Sequence, residues 1–306
     1  MGQSNKVLEF TFAPIQGFVN QARRTRDFWA GSYLISYLSA QAMVGVERAH
    51  EGNKIVFPAV STDFILRAVK EGRPPADDTA GLTGSVGSLP NRFTAECEGD
   101  PTAAAEAGAA ALETAWTMIA EGVRKNLLWA LPQLGDKSVQ ADWEVQIKTL
   151  WEIYWAVGTD HTVLDERKNW RHFMMREEQG ETCTVCGERV VVAGSGLPRC
   201  QVRKLWKSTT SKLNQKWNYA LDERGTERLC AVCLVKRIFP HIAEELIGWP
   251  VIVNFPSTLH FAPGVESPGS GKPAYYAVLA MDGDRLGWHL SQFSDKKREI
   301  PSAGSV

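Results

Sequence analysis

Net charge is almost absent from this chain: 34 Lys and Arg face 35 Asp and Glu, leaving −1 at pH 7. Such a balance exerts no global pull on nucleic acid, so any basic site must be local. No secretory signal is expected either. Met1 to Lys6 leads straight into a strand pattern, without the apolar core that a signal peptide needs. One uncharged run, residues 28–46, has about the length of a membrane span. Ser32, Ser36 and Ser39 fall at i, i+4 and i+7 within it, with Leu34, Ile35, Leu38 and Ala42 elsewhere. That spacing gives a polar stripe and predicts a buried amphipathic helix, with no membrane involvement. A disulfide framework is also excluded. Six cysteines in 306 residues are too sparse for one, and without a signal the expected compartment is the reducing cytoplasm. Paired cysteines then point to metal.

What is present is an ordinary globular composition, 44% hydrophobic and 23% charged, long enough for two or three domains. Two CxxC knuckles stand out, Cys183-Thr-Val-Cys186 followed by Gly187, and Cys230-Ala-Val-Cys233. Two thiolates three apart on a tight turn grip one side of a tetrahedral ion, and a second knuckle completes a Cys₄ zinc site. Four protein ligands leave no open position, so the zinc is expected to be structural. Two unrelated thiol pairs, or a redox CxxC, would be spelled the same way. Cys97 is expected to pack within a strand; Cys200 has no assigned role.

Between the knuckles, residues 199–221 hold Arg199, Arg203, Lys204, Lys207, Lys212 and Lys216 and no acid, with Trp206, Trp217 and Tyr219 interleaved. Cations beside aromatic platforms suit single-stranded nucleic acid, and six phosphate contacts would give a salt slope of about −4. The plain alternative is a solvated flexible loop. Arg23, Arg24 and Arg26 form a smaller cluster open to the same two readings.

Near the end, an apolar strand pattern over 275–281 stops at Asp282-Gly283-Asp284. Carboxylates delivered to a sheet edge suit Mg²⁺, which takes one or two of them plus substrate phosphates. A turn after a strand would look the same on spacing alone.

The predicted elements run strand 6–12, helix to about residue 50 with a break near Gly31, strand 54–60, loop 67–90, strand 91–98, helix 101–131 opened by Asp100-Pro101, and strand 143–157. That β-α-β-β-α-β order predicts an α+β, ferredoxin-like domain over 1–158. A zinc-binding insert over 159–248, a strand and linker over 249–272, and the incomplete start of a second unit over 273–306 follow.

Three segments in this order, "FAPIQGFVNQARRTRDFWAGSYLISYL", the pair "CTVCGE" and "ERLCAVCLVKR", and "YYAVLAMDGDRLG", resemble the large subunit of type III CRISPR effector complexes in its Cmr (type III-B) form. The resemblance extends, with gaps, over nearly the whole chain. It implies two palm domains that are cyclase-like and ferredoxin-like, a zinc site and helical domains. In that family the second palm makes cyclic oligoadenylate from ATP when target RNA is bound. It does so with carboxylates on its first strand and a Gly-Gly-Asp-Asp hairpin.

The resemblance further implies other effector subunits, guide RNA and target RNA as partners, and Mg or Mn with ATP at the palm pair. Asp282 would bind the metal, Asp284 would be a second ligand or outer support, and Gly283 would let the backbone approach the phosphates. Two departures qualify this. No His-Asp dipeptide occurs, so the HD nuclease of many relatives is expected to be missing. No Gly-Gly-Asp-Asp occurs either. The chain is therefore expected to be a fragment or one half of a split protein, inactive alone, with a second chain or a C-terminal half supplying the hairpin. If strands 6–13 and 275–282 are equivalent, Ala13 and Pro14 stand where Asp282 and Gly283 stand, which makes the first palm a non-catalytic partner. A zinc-ribbon nucleic-acid scaffold without nucleotidyl transfer is the alternative reading.

Overall fold

Alternating side chains in Lys6–Ala13 (β1) set up the sheet: Leu8, Phe10 and Phe12 are buried on one face and Glu9 and Thr11 on the other. In a computed structural model that describes residues 6–74, 86–158, 164 and 179–253, β1 is central. Contacts divide the chain into a body spanning Met1–Ser257 and a second unit spanning Thr258–Val306. Every described residue belongs to the first.

Four strands, β1, Lys54–Phe57 (β2), Arg92–Cys97 (β3) and Glu152–Gly158 (β4), pair antiparallel in the order β2-β3-β1-β4. The register puts Phe93, Phe10 and Trp155 in one cross-strand row. Phe10 and Phe93 stack with centroids 4.9 Å apart. Direct cross-strand aromatic pairs of this kind fix register as well as adding stability.

Two long helices cover that face, Thr25–Arg48 (α2) and Pro101–Leu127 (α4). They cross where glycines meet. A Cβ on Gly45 would lie 2.7 Å from the Ala107 carbonyl oxygen, and one on Gly108 would lie 2.8 Å from Val46 Cγ2. The short helix Ile15–Asn20 (α1) buries Phe18 against Trp116 and Trp151. As expected, Asp100 caps α4 by accepting from the Thr102 N–H at 3.0 Å, with Pro101 at the first helical position.

Several expectations need correction. The helical break falls at residues 21–24, ahead of Gly31. Gly31 lies inside α2, where a Cβ would press on Lys236 Cδ at 3.2 Å. Ser36 and Ser39 are buried, so the serine stripe points inward; Ser36 Oγ donates to the Leu89 carbonyl and accepts from its N–H. The stretch read as loop over 67–90 starts inside a helix, Phe64–Glu71 (α3), capped by Asp63 and ended by left-handed Gly72. The stretch read as one strand over 143–157 begins as the helix Lys137–Lys148 (α5). Trp143, Gln146 and Ile147 recur there at i, i+3 and i+4 on its buried face, and only β4 is extended. The strand expected at 250–255 is not one over 250–253; the remainder lies outside the described residues.

Past β4 the chain adds Arg199–Lys216 (α6) and Ala231–Ile247 (α7). The inner face of α7 joins α2 and α4 in one hydrophobic core. Among the described residues, no helix is long and apolar enough to cross a membrane.

Candidate metal centre

The first knuckle is folded by its own backbone. Thr182 pairs with Val190 across an antiparallel bridge, and the Cys183 N–H donates to Arg189 O at 2.8 Å. Gly187 closes the turn on Cys183 O with φ of 72°, a left-handed backbone that glycine adopts freely. Val185 N–H then points at Cys183 Sγ, 3.4 Å away. The second knuckle is the start of α7. Cys230 is its N-cap and its Sγ accepts from Cys233 N–H at 3.4 Å. A helix N-terminus favours thiolate there.

Two clamps hold the knuckles together. Thr184 and Arg228 exchange three hydrogen bonds. Gln146 on α5 reaches both sides, donating to Val190 O at 2.9 Å and accepting from Ala231 N–H at 2.8 Å.

The result brings Cys183, Cys186, Cys230 and Cys233 together, with all four sulfurs within 4.8 Å of one another. Thiolates about 2.3 Å from a tetrahedral ion lie about 3.8 Å apart; Cys186 and Cys230 are 3.7 Å apart. That spacing is far too long for a disulfide and matches shared ligation of one ion. Cys183, Cys230 and Cys233 are buried. Hydrogen bonds from the other three thiols push the Cys186 pKa down, and burial pushes Cys230 up. A divalent cation would neutralise thiolates held this close together. The donor set fits a structural metal ion and is compatible with zinc. Cys97 is buried in β3, as expected, and Cys200 is exposed on α6.

One turn beyond Cys233, α7 ties this centre to the sheet body. Lys236 is buried and donates to the Phe18 and Gln21 carbonyls. Arg237 uses all five N–H donors: a bidentate pair to Asp27 at 2.6 and 2.7 Å, two bonds to Glu227 at 2.8 and 3.0 Å, and one to Ala220 O. Burial works against its charge, but the two carboxylates outweigh it and hold its pKa above the ordinary arginine value. Glu227 is held below its usual range despite burial by the hydrogen bonds of Arg237. The sequence flagged neither carboxylate, because partners 210 and 10 residues from Arg237 leave no local pattern.

The Arg24 and Arg26 side chains serve the same seam, both donating to the Tyr219 carbonyl, with Arg24 also reaching Glu227. They are internal ties, neither a solvated cluster nor a nucleic-acid surface. Arg23 is exposed.

The basic segment is a helix and not a flexible loop. Trp206 is fully buried and donates to Val192 O, so it cannot serve as the stacking platform expected of it. Arg199 pairs with Glu181 at 3.4 Å. Lys212 reaches Ala130 O, and Lys216 lies over Trp129 and Trp217. Arg203, Lys204 and Lys207 are exposed on the outer face of α6. Asp282, Gly283 and Asp284 lie outside the described residues.

Residues 7–121 match the protein family described as CRISPR-associated protein Cmr2, N-terminal. Over these residues the chain is Cmr2-like. The Cmr2 match runs from β1 into α4 and stops short of both knuckles. A chain in the cryo-EM structure of type III-B Cmr-beta in the apo state is similar in fold. It has a TM-score of 0.51 at 17% identity, with 84% of this chain and 35% of that chain covered. A chain in type III-B Cmr-beta bound to cognate target RNA aligns at TM-score 0.48 and 14% identity, over 80% of this chain and 33% of that one. The chain thus spans about a third of the length of the chains it matches. No curated protein sequence matches it.

Proposed function

We propose that this chain is a zinc-braced, RNA-contacting N-terminal part of the large subunit of a type III-B CRISPR effector complex. The observation that carries this reading is the Cmr2 N-terminal region over 7–121 with a four-cysteine cluster clamped onto it through α7. The strand order β2-β3-β1-β4 with α2 and α4 on one face supports a ferredoxin-like palm, with α1, α3 and α5 as additions. Zinc at the cysteine cluster would tie the insert to that palm, and structural zinc contributes on the order of 10–16 kcal/mol at pH 7.

The outer row Arg203, Lys204 and Lys207 is the part of the basic segment suited to phosphates of guide or target RNA. Asp282 and Asp284, with Gly283, would form one edge of a palm site for Mg or Mn and ATP that makes cyclic oligoadenylate once the Gly-Gly-Asp-Asp hairpin is supplied. The zinc-ribbon scaffold without nucleotidyl transfer shares the α6 row and differs at Asp282.

Co-expression with the remaining subunits of a type III-B complex tests the assignment. A tag on another subunit should retain this chain in stoichiometric amount together with guide RNA. A chain that stays free refutes it. Replacing Arg203, Lys204 and Lys207 by Gln should weaken single-stranded RNA binding and flatten its salt slope by about 2. Unchanged binding would remove the outer row of α6 from the interface.

A further inference from the structure

With Trp206 lost to the core, the fold brings a second exposed-edge aromatic to the cations of α6. Trp129, just past the end of α4, is 44% exposed. Lys216 Nζ sits 5.5 Å from its ring centre and 4.6 Å from that of Trp217, while the two indoles meet edge-on at 6.5 Å. Lys212 reaches the adjoining Ala130 carbonyl at 3.5 Å. Lys125, one helical turn before Trp129, is two-thirds exposed. The nearby carboxylates are already engaged: Glu121 by Arg124 and Lys125, Glu245 by Asn126. His241 stacks on Trp217 at 5.5 Å, and burial pushes its pKa down to about 4, so the cation of this stack at neutral pH is lysine.

We infer that Trp129, flanked by Lys212 and Lys216, is a stacking platform for a base of single-stranded RNA. The inference rests on the reading of α6 as a nucleic-acid face. An indole with Lys216 over its ring and Lys212 at the adjoining carbonyl complements a polyanion with exposed bases, since ring faces take any base and ammonium groups take the phosphates between them. A protein partner would be expected to bring carboxylates and an apolar anchor to the same spot, and the surroundings of Trp129 are cationic rather than apolar. The platform also explains why Lys212 and Lys216 turn away from the outer row: they serve the α4–α6 seam, not the helix face.

The test uses the full chain with a 4-thiouridine-labelled oligouridylate. Light-induced adducts should map to Trp129 or its neighbours. Trp129→Ala should weaken binding about ten-fold, the scale of one base on one ring. Trp129→Phe, which preserves a ring and guards against a folding defect, should recover most of it. Lys212→Gln with Lys216→Gln should flatten the salt slope by about 1.4. Trp129→Ala binding within two-fold of the parent overturns the platform. If the Arg203, Lys204 and Lys207 variant still weakens binding in that case, the α6 reading survives and only the platform falls. If that variant does nothing while Trp129→Ala weakens binding, the platform stands and the outer row falls. Protection of Trp129 from hydroxyl-radical footprinting on subunit assembly without RNA would show a protein covering it and would also overturn the inference.

Discussion

Removing Arg237 tests the central tie of the molecule. Its side chain is 1% exposed, and Asp27 and Glu227 are 3% and 2% exposed. Arg237→Met preserves much of the volume but leaves two carboxylates buried against each other, and the Ala220 carbonyl keeps only its weaker bond from Arg26 at 3.2 Å. Breaking a buried pair by deleting one partner costs about 3–5 kcal/mol, because the other charge stays desolvated. Arg24 approaches Glu227 at 3.4 Å and offsets part of this, so we expect about 3–4 kcal/mol, or roughly a 10 °C fall in midpoint for a body of this size.

The penalty should depend on pH with a defined sign. In the parent, the lowered Glu227 pKa stabilises the fold above the unfolded carboxylate value and is lost as pH falls. In the variant, burial without Arg237 raises the Glu227 pKa in the folded state. The destabilisation is then full above that raised value and is relieved as Glu227 takes up a proton. The gap between parent and variant should therefore shrink from pH 8 to pH 5. Urea unfolding followed by circular dichroism, at constant zinc, measures it. A gap below about 0.5 kcal/mol, or one of constant size across that range, would refute the reasoning. Arg237→Lys should rescue little, since a point charge cannot form the five-donor fork.

Three further outcomes follow from the same geometry. Cys183→Ser or Cys233→Ser should abolish stoichiometric zinc in elemental analysis and lower the melting midpoint, whereas Cys200→Ser should change neither. Gly108→Val should destabilise by about 1–3 kcal/mol in chemical denaturation, because even its Cβ would stand 2.8 Å from Val46 Cγ2; a neutral result would mean that α2 and α4 can part without cost. In a complete effector assembly, Asp282→Ala should abolish cyclic oligoadenylate synthesis and leave RNA binding intact. Synthesis at a normal rate would remove Asp282 from the metal site.

What the sequence disclosed and what it hid follow a physical division. The knuckles were legible because metal ligation fixes residue type and local spacing at once, and a glycine after Cys186 is needed for the left-handed turn. Asp100-Pro101 was legible because capping is satisfied within three residues. The helix α3 was hidden by the Gly and Pro content around it, although Asp63 and Gly72 mark its two ends. The helix α5 was hidden because Trp, Val and Ile suit strands by propensity, and only the i, i+3, i+4 spacing of Trp143, Gln146 and Ile147 spoke for a helix. Propensity is a weak prior that packing overrides.

The basic segment shows why a local pattern can name the right chemistry on the wrong residue. In sequence, Trp206 and Trp217 stand equally among the lysines. A helix of 3.6 residues per turn separates Trp206 from the cations: Val202, Trp206, Thr209 and Leu213 fall on the buried face, and Lys204 and Lys207 on the outer one, while Trp217, just past the helix end, lies under Lys216. An aromatic inside the helix therefore points away from the charges it alternates with, and a ring from another element can sit among them. Trp129 arrives from the end of α4, held there because Lys216 and Trp217 meet it. The four-cysteine cluster makes that meeting possible. By fixing both knuckles, the second of which begins α7, it sets where the intervening chain must leave and return, and so where α6 lies against α4.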